Sequence, residues 1–357
     1  MPHEISFIEN NLNDTPDNPI FSRPTSLCKQ IVVLDGLTGT GKTMMSPLLS
    51  SFERLQNARF EYMFEYLCIA ASNHKISEDA AISLINLLAD SKCYDGMISR
   101  EINFRPTDLS SVFNGSSAFK YLRQLFVADG ENVSKRIEEE NPALLLVTHQ
   151  LLGCIQPAIT AFGNRLHVVE MVRHPLYLLD HWNSYISMHG NNPRDFTLWL
   201  NHNSHLVPWF AANWENKYID SPQFDKVIYS ITSLMKPVFE YFHREARGNV
   251  FTFIPFEQFA LSPDSYLEKL EQTIGSSITQ STQRVLRAQG VPRKSINDGP
   301  QKSIYKRYAL KKYDKKVSDE QNYQDLYTQA KRKSSELAFR ELEKTIRSYE
   351  EAFGLWF

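Results

Sequence analysis

Four short apolar runs punctuate the chain, at residues 31–35 (IVVLD), 144–148 (LLLVT), 167–172 (HVVEMV) and 250–254 (VFTFI). Unbroken runs of this length suit strands covered on both faces, as in a parallel sheet. Between them the hydrophobic period lengthens to that of helices. In SEDAAISLINLLAD, Ser77 stands as N-cap and Ala81, Leu84, Ile85 and Leu88 share one face. In LSPDSYLEKLEQTIG, Ser262 and Pro263 supply the cap and first turn, and Gly275 the stop. Strands alternating with helices predict an α/β fold built on a parallel sheet.

The ends of the chain read differently. Residues 1–27 are rich in Pro, Asn and Asp without sustained periodicity, and read as a flexible leader. Residues 28–300 carry the α/β pattern, and residues 301–357 form a third section. Its first part, 302–316 (KSIYKRYALKKYDKK), is dense in Lys, Arg and Tyr and reads as a surface or lid segment. From about Asp319 to Glu351 a charged pattern without Pro or Gly predicts one long helix, with Leu337, Phe339, Leu342 and Ile346 on a face that docks on the body or on a second subunit of a homodimer.

Composition narrows the function. With 357 residues, 42% hydrophobic, the chain can bury a large core. A net charge of -2 gives no general field for nucleic acid or an anionic membrane, so any handling of anions must be local. No run of ~18 apolar residues spans a bilayer and no secretory signal opens the chain, which predicts a cytoplasmic protein. Cys28, Cys68, Cys93 and Cys154 are too scattered for a zinc or redox motif and read as buried free thiols.

The most specific signal follows the first apolar run. Gly36, Gly41, Lys42 and Thr43 satisfy the Walker A pattern G-x-x-x-x-G-K-[ST], with Leu37, Thr38, Gly39 and Thr40 between, and the loop lies between a strand and a helical start. Glycines let backbone N–H groups converge on an anion while the next helix adds its positive end. Lys42 would reach the terminal phosphates or the group in transfer, and Thr43 would hold Mg²⁺ if the ligand is ATP.

Two further strands end in polar residues where a parallel sheet opens its ligand crevice. LLLVT leads into His149, whose imidazole suits a general base drawing a proton from an attacking hydroxyl; the alternative is a hydrogen-bonded structural histidine. HVVEMV leads into Arg173, able to grip a phosphate in paired hydrogen bonds or to pair with an acid such as Asp180.

In their order these pieces resemble the sulfotransferase superfamily, a variant of the P-loop fold, over residues 30 to 300. The resemblance rests on the loop, on Thr148-His149, on VVEMVRHPL around Arg173, and on FTFIPFEQFALSPDSYLEKLEQTIG. It implies a three-layer α/β sheet, with His149 as base, Lys42 steadying the bridging oxygen, Arg173 on the donor's 3′-phosphate, and 3′-phosphoadenosine 5′-phosphosulfate (PAPS) as donor. The chain departs from the family at three places. Gly39 occupies the loop's usual basic position and Lys42 that of a Thr; His181, next to Asp180, replaces a phosphate-binding Ser; and Val147 replaces a Lys. Arg293-Lys294-Ser295 is similar to the family's late donor loop and can compensate. The expected reaction is sulfuryl transfer to a hydroxyl. The alternatives are phosphoryl transfer from ATP with Mg²⁺, assisted by His149 or Asp35, and a nucleotide-binding ATPase or switch. The last is disfavoured because no Walker B strand ends in Asp or Glu.

The acceptor side is less defined. Trp182, Trp199, Trp209 and Trp214 share one stretch with His181, His189, His202 and His205, suited to stacking on a sugar or to the core of a helical insertion. Arg100 and Arg105 form a basic pair able to clamp an anionic acceptor or simply to sit on the surface. The expected acceptor is a small molecule or carbohydrate bearing a hydroxyl, not nucleic acid.

Overall fold

The computed structural model describes residues 19–108, 110–115, 118–128, 130–190, 196–244, 250–299, 316–355 and 357. Most of the leader (1–18) and of the basic lid segment (302–315) lies outside these residues.

The four apolar runs form strands. β1 (Gln30–Asp35), β3 (Ala143–Val147), β4 (Leu166–Val172) and β7 (Phe251–Pro255) join a two-residue edge strand, β2 (Arg59–Phe60), in one parallel sheet of order β2-β3-β1-β4-β7. Every residue of β3, β4 and β7 is buried, as is β1 after Gln30, so helices cover both faces and the result is a three-layer α/β fold. Continuous burial is the reason these strands lack alternation. The chain leaves central β1 toward one edge and leaves β3 toward the other, which opens a crevice above their carboxyl ends.

Several helices differ from the sequence pattern. Helix Glu78–Met97 buries Ala81, Ile85, Ala89 and Cys93, whereas Leu84 points outward at 47% exposure. The C-terminal pattern is two helices, Asp319–Lys333 and Glu336–Phe353, not one. The break falls at Ser334-Ser335, where the backbone is extended and the Ser335 hydroxyl accepts from Ala338 N at 3.3 Å. A serine hydroxyl offers the backbone an alternative to continuing the helix. The second helix packs along Gln223–Arg244 and buries Phe339, Leu342, Ile346 and Tyr349, while Leu337 is 70% exposed. The Trp/His stretch is not wholly helical: after helix Leu179–Ser187 it contains an antiparallel hairpin, β5 (Trp199–His202) with β6 (His205–Pro208).

All four cysteines are buried and free. No helix among the described residues is long and apolar enough to cross a membrane.

Candidate active site

The loop from Gly36 to Lys42 rises from the middle strand and turns on three glycines at positive φ, Gly36 (134°), Gly39 (98°) and Gly41 (101°). Each is also pressed from outside. A Cβ on Gly36 would lie 2.3 Å from Met171 O, one on Gly39 2.8 Å from His181 Nδ1, and one on Gly41 2.5 Å from the Phe256 ring. Conformation and space therefore both demand glycine. Thr40 N and Oγ1 both donate to Leu37 O, closing the turn, and helix Lys42–Leu49 starts at Gly41.

Lys42 is buried and folds back on its own loop, donating to Gly36 O and to Leu37 O at 3.1 Å. Burial pulls its pKa down, against the attraction of Asp35, Glu170 and Glu65. Asp35 Oδ1 accepts from Thr148 Oγ1 at 2.8 Å, while its Oδ2 and both oxygens of Glu170, its register partner on β4, have no hydrogen-bond partner. Burial and the neighbouring Asp35 push the Glu170 carboxyl well up. An acidic floor thus lies under the lysine. Sequence reasoning placed Asp35 here but missed Glu170, which stands alone among apolar residues in HVVEMV.

His149 is fixed beside the loop through both of its chain neighbours. Thr148 bonds Asp35, and Gln150 donates its N–H to Gly36 O at 3.1 Å and accepts from Thr38 Oγ1 at 3.3 Å. The His149 ring is stacked between Phe60 and Tyr62, at centroid distances of 5.3 and 5.6 Å. Its Nδ1 lies 2.9 Å from Oε1 of Glu65, whose side chain is only 6% exposed, while the imidazole is 29% exposed. With Glu65 ionised its oxygen accepts, so Nδ1 donates, and in the neutral ring Nε2 then keeps its lone pair. Burial raises the Glu65 carboxyl and His149 draws it back. Glu65 was not foreseen; its signal is that it is the only charged residue in helix Tyr62–Ser72.

On the opposite side of the loop, Arg173 donates from Nη1 to Gly39 O at 2.8 Å, and its partner acid is Glu257 at 3.7 Å rather than Asp180. Its Nε is buried without a hydrogen-bond partner. The guanidinium lies 4.5 Å from the centroid of Phe256, and that of Arg293 lies 5.3 Å from the same centroid. The two arginines, 120 positions apart in sequence, share one ring at the foot of the loop. His181 touches Gly39, and burial together with Arg173 and Lys42 lowers its pKa to about 4, so it is neutral. Asp180 contacts Gln329 of the C-terminal helices at 3.5 Å.

The tryptophans serve mainly as scaffold. Trp182 is fully buried and donates from Nε1 to Thr38 O at 2.9 Å; Trp209 is buried, and Trp214 donates to Phe210 O at 3.2 Å. Trp199 packs edge-on to His189. His202 and His205 lie in the hairpin, His202 within 3.1 Å of Asn216. Arg100 pairs with Asp95 at the surface, and Arg105 is exposed. A different aromatic group flanks His149: Tyr62 packs on Phe196, which is 57% exposed, and Tyr66 donates to Phe196 O.

No family model and no curated protein matches the chain. Solved structures do. A sulfotransferase from Mycobacterium avium is 12% identical over 97% of this chain and 81% of that one, with a TM-score of 0.40. The sulfotransferase domain of the Synechococcus PCC 7002 olefin synthase is 9% identical over 92% and 98%, with a TM-score of 0.43. A mouse sulfotransferase, solved in complex with PAP, is 13% identical over 92% and 90%, with a TM-score of 0.34.

Proposed function

We propose that the chain transfers a sulfuryl group from PAPS to a hydroxyl of a small molecule or carbohydrate. The observation that carries this reading is the Glu65–His149 pair, held beside the glycine loop with a partly exposed imidazole whose Nδ1, not Nε2, faces the carboxyl. Nε2 takes the proton of the acceptor hydroxyl as its oxygen bonds to sulfur. The bond from sulfur to the bridging phosphate oxygen breaks, and the charge left on that oxygen meets Lys42 and the loop N–H groups of Gly39, Gly41 and Thr43, while Thr40 N–H stays on Leu37 O. Glu65 keeps the tautomer and steadies the imidazolium that forms. For that step Lys42 exchanges the carbonyls of Gly36 and Leu37 for the donor. Arg173 and Arg293, both packed on the ring of Phe256, suit the 3′-phosphate, for which Arg173 would exchange its 3.7 Å Nε contact with Glu257. Neutral His181 adds a hydrogen-bonding group beside Gly39 without repelling an anion.

A second reading, phosphoryl transfer from ATP with Mg²⁺ on Thr43, is favoured by the complete G-x-x-x-x-G-K-T loop. Calorimetric titration separates the two. Sulfuryl transfer expects 3′-phosphoadenosine 5′-phosphate to bind without metal, and Arg173→Ala to lose most of that affinity. Binding of ATP only in the presence of Mg²⁺, with no response to the 3′-phosphate, would replace this reading by the kinase.

A further inference from the structure

Helix Ala118–Gln124 packs the wrong way round for a helix facing water. Its buried residues are Tyr121 and Gln124, at 2% and 5% exposure. Its outward residues are Phe119 at 73% and Leu122 at 41%, and the turn that continues it adds Leu125 at 51% and Phe126 at 91%. Water alone would select the opposite arrangement. The inversion is anchored by specific polar contacts. Tyr121 OH accepts from Asn57 N at 2.6 Å, and Ser99 Oγ donates to Tyr121 O at 2.6 Å and to Gln124 Oε1 at 3.2 Å. The helix therefore presents Phe119, Leu122 and Phe126, spaced by three and four, as one outer stripe.

Charge says what this stripe meets. Lys120 and Arg123 are exposed along its flank, and no acidic residue occurs from position 109 to 128 of a chain whose net charge is -2. Bulky apolar side chains flanked by cations are the chemistry of an interfacial helix, whose rings enter the acyl boundary while the cations stay among headgroup phosphates and carboxylates. A two-fold contact between copies would instead bring the same cations near their counterparts with no acid in this stretch to offset them. We propose that this face docks the protein on an anionic lipid surface. The inference does not depend on the reaction proposed above.

The test is sedimentation of the full chain with vesicles of phosphatidylcholine, alone or mixed with phosphatidylserine. Partition onto the mixed vesicles is expected, with release as salt rises. The double variant Phe119→Ser/Phe126→Ser should lower it by about tenfold or more without moving the thermal midpoint, since both rings are exposed. The double variant Lys120→Glu/Arg123→Glu should abolish the preference for phosphatidylserine. No partition, partition indifferent to either double variant, or a dimer on a sizing column that only the serine variant dissociates would each overturn the proposal, the last in favour of a second copy.

Discussion

At the scale of single residues, the decisive pair is one that sequence separation conceals. Glu65 and His149 are 84 positions apart and meet at 2.9 Å with the carboxyl buried and the ring partly open. His149→Ala is expected to lower turnover by roughly 100-fold or more while nucleotide affinity holds. Glu65→Gln preserves shape and an acceptor for Nδ1–H but removes the charge that favours imidazolium. Its expected result is a fall of about tenfold or more in turnover at unchanged nucleotide affinity; a loss of affinity or of thermal stability in its place would leave Glu65 a structural residue. His149 was legible because it ends an apolar strand. Glu65 was not, because a single acid in an apolar helix gives no hint of which strand end it faces.

At the scale of elements, the neighbours of the loop from Gly36 to Lys42 leave it no room for slack. His181 and Trp182 of helix Leu179–Ser187 touch Gly39 and hold Thr38 O, while Phe256 closes against Gly41. Gly39→Ala would place a methyl 2.8 Å from His181 Nδ1 at φ 98°. Nucleotide affinity measured by titration should fall by about tenfold or more, corresponding to ~1.4 kcal/mol, with the sheet intact by circular dichroism. An unchanged affinity would mean that the loop opens on binding. Strand existence was legible for the same reason the sheet is stable: β1, β3, β4 and β7 are buried on both faces and must be apolar throughout. The hairpin of β5 and β6 was hidden because its Trp, His and Asn residues are half exposed and match no strict alternation. The break at Ser334-Ser335 was hidden because two serines also occur within helices. The polarity of Ala118–Gln124 was illegible in principle, since its apolar residues face outward.

At the scale of the whole molecule, the buried ionisable groups around the loop set how stability depends on pH, and two of them pull in opposite directions. His181 is held near a pKa of about 4 by burial, Arg173 and Lys42. Below about pH 6.5 the unfolded imidazole takes a proton that the folded one refuses, so stability falls as pH drops from there toward 4, by ~3 kcal/mol in total. Glu170 is raised by burial and by Asp35. Above its ordinary range the unfolded carboxyl releases a proton that the folded one keeps, so its contribution is full in acid and is lost as pH rises through its folded pKa. The fold is therefore squeezed from both sides. Urea unfolding across pH should show that His181→Asn flattens the acid loss and leaves the alkaline side alone. Glu170→Gln should raise stability near about pH 8 relative to its effect near about pH 4, because an amide removes a charge that burial disfavours. Identical displacement of the curve at every pH by either variant would show that the site's charges do not govern it.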